Sequence, residues 1–191
     1  MTSQSSSQMR LYSTKGERLY LNASERRAFA NSADKHNTDT GTLCQMLLLT
    51  GCRLSEALNL RLQDIQSPEG IVAIKSLKKR SNDHVRELPL PQDYTLTLLS
   101  RCRKNPDQLL WQFSRTTAWR RIKLVMKNAN ITGTRASPKG LRHSFAVQCA
   151  FNNVAMPLTQ KWMGHADIAT TAIYYQIIGK EERDMAKRNW F

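Results

Sequence analysis

A phenol and an imidazole close together in a chain can act as a pair, the phenol as nucleophile and the imidazole as its proton partner. In LTQKWMGHADIATTAIYY, residues 158–175, His165 stands nine residues before Tyr174. A tyrosine on an amphipathic helix more often fills a core, so the pair needs support from elsewhere. Two other stretches supply cations. In SPKGLRHSFA, residues 137–146, Lys139, Arg142 and His143 fall within about one turn of a helix start, where unpaired backbone N–H groups also favour anions. In GCRLSEAL, residues 51–58, Arg53 sits at the turn between two apolar helices. A guanidinium there serves either the solvated edge of the core or an inward anion site, and position alone weighs the two readings equally. Together these groups have the chemistry to attack an oxyanion ester, with fixed cations stabilising the charge that gathers in the transition state.

The elements that must position these groups are legible in the pattern. Asn22, with Glu25 three residues on, makes a capping box and predicts a helix over 23–33. Residues 40–50 are apolar nearly all round, as in a helix buried at a domain centre, and Thr50-Gly51 should end it. A further helix is predicted from Gly51 onward, with Leu54, Ala57 and Leu58 inward. Residues 62–90 change period: 70–74 and 85–90 read as two strands around a polar tip, with 60–65 as a third, giving a small antiparallel sheet. Lys75, Lys78, Lys79 and Arg80 gather on one arm of that hairpin; they protect a solvated edge or reach a nucleic-acid groove. Helical spacing returns over 91–104 and again over 114–129. In the second, Trp119, Ile122, Val125 and Met126 are expected to face inward and Arg115, Arg120, Arg121, Lys123 and Lys127 elsewhere. A last helix is predicted after Pro138, with Leu141, Phe145, Val147, Cys149 and Ala150 as its inner stripe. The fold class is therefore α+β: a mainly helical single domain with a small antiparallel sheet.

Composition narrows the partners. At 191 residues the chain suits one well-buried core. Its 29 Lys and Arg against 15 Asp and Glu give a formal charge of +14, a self-repulsion best offset by a polyanion, and nucleic acid leads. No long apolar run or single basic amphipathic face points to a membrane. Cys44, Cys52, Cys102 and Cys149 form no CxxC pair and fall mostly in apolar patterns, as expected of a reducing cytoplasmic compartment. The Ser/Gln-rich start lacks the apolar core of a signal peptide, and residues 1–18 are expected to be a disordered tail ahead of a domain over 19–191.

GCRLSEAL, the basic hairpin ending in RELPLP, KGLRHSFA and LTQKWMGHADIATTAIY, in that order and spacing, resemble the catalytic domain of the tyrosine recombinases, the phage-integrase family. Arg53 matches the family's first active-site arginine, Arg142 the second, His165 the histidine of its leucine-glycine-histidine motif and Tyr174 its nucleophile. Lys139 stands where the family usually has a histidine, so a fixed cation replaces a titratable ring. Among the hairpin lysines Lys78 best matches the family's general acid, with Lys75 and Lys79 as alternatives. Only about twenty residues precede the first helix, so the chain resembles the short members without a core-binding domain, such as the fimbrial phase-variation invertases.

The resemblance implies site-specific recombination of double-stranded DNA without metal, nucleotide or other cofactor. Tyr174 would form a 3′-phosphotyrosyl link, Arg53 and Arg142 would hold the phosphate, Lys139 would add a cation, Lys78 would protonate the leaving 5′ oxygen, and His165 would accept the phenol's proton or bond the phosphate. Tyr175 would pack or touch DNA. It also implies a tetramer on DNA that exchanges C-terminal elements, with Trp190-Phe191 docked in its own domain or a neighbour's. Three other readings fit the same residues: a type IB topoisomerase-like strand swivelase, a catalytically silent DNA-binding regulator of the same fold, and a basic helical DNA-binding regulator in which Tyr174 is only core.

Overall fold

Asn22 caps the first helix, α1 (Ala23–Ala33), from both directions: its side chain accepts from the Glu25 N–H at 2.9 Å, and the Glu25 carboxylate accepts from the Asn22 N–H at 2.9 Å. The predicted capping box is present, and such a cap contributes about 1 kcal/mol. The computed structural model describes residues 10–76, 84–101, 105–176, 180–187 and 190. Helix α2 (Thr38–Thr50) follows and packs against α1, against α5 (Arg115–Asn128) and against α6 (Pro138–Phe151). That central position explains why its sequence is apolar nearly all round: Leu43, Cys44, Met46 and Leu47 are all buried. Truncating such a leucine to alanine costs about 2–5 kcal/mol.

Gly51 ends α2 in a left-handed conformation, φ 60°, with its N–H bonded to the Leu47 carbonyl. A Cβ there would also lie 2.6 Å from the Phe145 ring, so the position needs glycine on two counts. The chain reverses at once into the short helix α3 (Leu54–Leu58), with Arg53 as its N-cap residue. The α2–α3 corner thus presents Arg53 beside α6.

Three antiparallel strands follow, β1 (Ile65–Gln66), β2 (Ile71–Lys75) and β3 (Val85–Pro89), in the order β1-β2-β3. The expected third strand is shorter and later than the pattern suggested, since 62–64 is a 3-10 turn. Alternation does its usual work: Val72 pairs with Leu88 and Ile74 with Arg86, all on the buried face. The hairpin tip, with Lys78, Lys79 and Arg80, lies outside the described residues, as does Cys102. Lys75 is described and stands exposed at the end of β2.

Helix α4 (Gln92–Arg101) leads to α5, capped by Ser114, and then to α6, where the Ser137 side chain accepts from the Gly140 N–H at 3.1 Å and Pro138 takes the first turn. The inward stripe of α5 is Ala118, Ile122, Val125 and Met126. Trp119, expected inward, is 46% exposed; the small Ala118 takes the place assigned to it. After α6 come α7 (Met156–Met163), α8 (Ala169–Ala172), a 3-10 turn over Ile173–Tyr175 and α9 (Lys180–Ala186).

The amino-terminal end departs from expectation. Residues 10–18, assigned to a disordered tail, instead fold onto the core: Leu11 is buried, the Leu19 N–H bonds the Leu11 carbonyl at 2.8 Å, and Tyr12 bridges Arg18. Trp190 is 53% exposed, and Phe191 lies outside the described residues. No helix among the described residues is long and apolar enough to cross a membrane.

Candidate active site

The amino end of α6, the α2–α3 corner and the first turn of α5 surround an open cavity of about 650 Å³. Arg53, Lys139, Arg142 and His143 line it, with Arg115 and Trp119 on the α5 side. Three stretches remote in sequence therefore deliver cations to one space, with Arg53 at the cavity wall.

Arg142 is the best-fixed of these groups. Its guanidinium donates to the Gly51 carbonyl at 2.8 Å and to the Met163 carbonyl at 2.6 Å, tying the end of α2 to the end of α7. The side chain is almost wholly buried, and burial, then the neighbouring Arg53, lowers its pKa to about 10. It still carries its charge at neutral pH, so it presents a cation that no proton exchange switches off.

Arg53 is held by Glu56. The Glu56 carboxylate accepts from the Arg53 guanidinium at 2.7 Å and from its backbone N–H at 2.8 Å. Arg86 reaches the same carboxylate from β3 at 2.5 Å and also donates to the Trp162 carbonyl at 2.8 Å. Glu56 has no exposed side-chain surface. Burial alone would raise its pKa, but the hydrogen bond and charge of Arg86 and the bonds from Arg53 outweigh it, and the net shift is downward. The buried carboxylate joins sheet, α3 and α7 while aiming one arginine at the cavity. Pattern reading missed Arg86 because it pairs in the sheet with Ile74 on the apolar face; the Glu56 beside Arg53 was the available signal.

Tyr174 lies on the 3-10 turn, fully buried, packed against α6. Burial pushes its pKa up to about 12, against the pull of Arg142 and Arg53. Its hydroxyl is 2.9 Å from His143 Nδ1. His165, the sequence choice for proton partner, instead stacks on the Tyr174 ring, with centroids 6.1 Å apart and planes 11° apart, and its Nδ1 bonds Thr171 Oγ1 at 2.9 Å. His165 is thus brought to Tyr174 face on, while His143 meets the hydroxyl. The Tyr175 hydroxyl turns the other way, bonding Thr159 Oγ1 at 2.8 Å and the Val154 carbonyl, a packing role.

Lys139 is exposed at the cavity edge, and Lys78 lies outside the described residues. Of the α5 cations, Arg115, Arg120 and Lys127 face solvent, whereas Arg121 stacks on Phe113 at 4.2 Å and Lys123 donates to the Ala136 carbonyl at 2.7 Å. Among the described residues no three His, Cys, Asp or Glu side chains gather as a metal site requires.

The sequence model of the phage integrase family matches residues 18–180. Tyrosine recombinase XerA of Pyrococcus furiosus is 28% identical over 154 residues, which cover 75% of this chain and 52% of that protein. The chain spans about half the length of the curated relatives it matches. The crystal structure of XerA recombinase superposes with a TM-score of 0.77 at 27% identity, covering 90% of this chain and 65% of that one. The catalytic domain of bacteriophage HP1 integrase gives 0.66 at 19% identity, covering 89% of this chain and 94% of that one, a likeness of fold.

Proposed function

The chain belongs to the phage integrase family, and from that premise we propose that it is a site-specific recombinase that cuts and rejoins double-stranded DNA through Tyr174. One observation carries the reading: Arg53, Arg142 and His143 line a single cavity, and the hydroxyl of the buried Tyr174 is 2.9 Å from His143 Nδ1. A phosphodiester resists attack because its non-bridging oxygens gain negative charge in the transition state. Two guanidiniums, prefixed by Glu56 and by backbone carbonyls, stabilise that charge without reorganising.

Tyr174 attacks the phosphorus and the 5′ oxygen departs, leaving a 3′-phosphotyrosyl bond. The energy of the broken bond is kept in the new one, so a free 5′ hydroxyl from a partner strand can reverse the attack and exchange strands. Lys139 adds charge at the cavity edge, Lys78 is assigned to protonate the leaving oxygen, and His165 supports the tyrosine by stacking. The formal charge of +14 and the solvent-facing cations of α5 favour the phosphate backbone. Trp190, exposed near the chain's end, is assigned to a neighbouring protomer in a DNA-bound tetramer.

The test is a nicked duplex carrying sequence from the DNA flanking the gene. The unaltered chain should become covalently attached to it, and Tyr174→Phe should not. DNA binding by the unaltered chain with no adduct on any such duplex would replace this reading with a silent DNA-binding protein of the same fold.

A further inference from the structure

Resting on that reading, we infer that His143, the residue after the second arginine, is the catalytic proton acceptor of Tyr174, and that its other ring nitrogen bonds the scissile phosphate. His143 Nδ1 is 2.9 Å from the Tyr174 hydroxyl. His143 Nε2 is buried and has no hydrogen-bond partner among the described residues, yet the residue lines the cavity that holds Arg53 and Arg142. A buried orphan nitrogen costs stability unless something bound there satisfies it. In the tautomer with its proton on Nε2, Nδ1 accepts from the phenol and Nε2–H is a donor suited to a phosphate oxygen.

The surroundings keep the ring ready to accept. Burial, then Lys139, then Arg142, lowers the pKa of His143 to about 4, so the imidazole is neutral at physiological pH. The charged and titratable groups around it are Lys139 and Arg142 on its own helix, Arg53 across the cavity, Tyr174 from the 3-10 turn, and His165 stacked behind that phenol. Arriving phosphate carries negative charge and favours a protonated ring, so acceptance strengthens when substrate is present. Tyr174 has no exposed surface, so bulk water cannot take its proton directly.

In the step, the Tyr174 oxygen forms its bond to phosphorus while its proton passes to Nδ1, and the bond from phosphorus to the 5′ oxygen breaks. That oxygen takes a proton from the hairpin general acid. Reversal returns the proton from His143 to Tyr174 as the partner 5′ hydroxyl attacks.

Two variants of the chain on the nicked duplex, with an imidazole rescue of the second, separate this from a structural role. His143→Asn places an amide oxygen where Nδ1 stands and keeps a hydrogen-bond acceptor that cannot take a proton. Adduct formation in His143→Asn and in His143→Ala should fall by about 10²–10⁴-fold, the usual worth of general base catalysis, with DNA binding in a gel-shift assay retained. Added imidazole should restore His143→Ala, and the restored rate should rise with pH as free imidazole loses its proton. Adduct formation by His143→Asn at the unaltered rate, or by His143→Ala at that rate or faster, would show that the ring only holds the phenol and would overturn the inference while leaving Tyr174 as nucleophile. No adduct from the unaltered chain would defeat the strand-transfer reading, and this role with it.

Discussion

Glu56→Gln should damage fold and site together. The carboxylate is wholly buried between Arg86, itself 6% exposed, and the half-buried Arg53, and it bonds both guanidiniums and a backbone N–H. Removing one member of a buried ion pair costs about 3–5 kcal/mol, because the remaining charge is left uncompensated. Glutamine keeps one acceptor oxygen, so the lower end applies, about 3 kcal/mol. For a chain of this size each kcal/mol moves the melting temperature by about 2–4 °C, which predicts a fall of roughly 6–12 °C. Arg86→Met in the same chain removes the stranded charge, so the double variant should lose less than the sum of the singles, by more than about 0.5 kcal/mol. The sign with pH follows from the depressed pKa of Glu56: its contribution is present above the unfolded carboxylate value, near 4.3, and is lost as pH falls through the lower folded value. Melting curves and urea titrations of the four chains decide it. A fall of under 2 °C in Glu56→Gln, or strict additivity with Arg86→Met, would refute the view that this carboxylate anchors the site.

Gly51→Ala should destabilise by more than the roughly 1–2 kcal/mol of a left-handed alanine, because Phe145 must also move; urea denaturation measures it, and it should lower adduct formation by shifting the carbonyl that holds Arg142. Cys44, Cys52 and Cys149, whose pKa values burial raises to about 12, 11 and 11, should fail to react with a thiol reagent at pH 8 until the chain is unfolded. Trp119→Ala should leave stability within about 0.5 kcal/mol, as exposed substitutions do, yet weaken DNA binding measured by fluorescence anisotropy, since the ring stands at the cavity rim.

Where local chemistry sets an element, the chain declares it. The box at Asn22, the serine caps at Ser114 and Ser137, and the glycine stop at Gly51 each fix a helix end by hydrogen bonds within a few residues, and the observed bounds follow them. Arg53 and Arg142 were readable as a pair only through the ordered motifs; spacing could not show that α2 carries Gly51 to within 2.8 Å of the Arg142 guanidinium. Trp119 misled because hydrophobicity was read without size. On a crowded stripe the alanine fits against the core and the indole is turned out. His143 ranked behind His165 for a different reason: nearness in sequence favoured His165 as partner to Tyr174, whereas the turn over 173–175 stacks the phenol on His165 and delivers its hydroxyl to α6, 31 residues back. Leu11 and Tyr12 were hidden by the polar run before them, since an apolar pair has no period to betray that it reaches the core.

The most direct measurement is the mass of the peptide that retains nucleotide after the adduct with a nicked duplex is digested with protease and nuclease. One modified peptide is expected, with a 3′-nucleotide phosphate on Tyr174 and none on Tyr175. Nucleotide on Tyr175 or on any other side chain would contradict it.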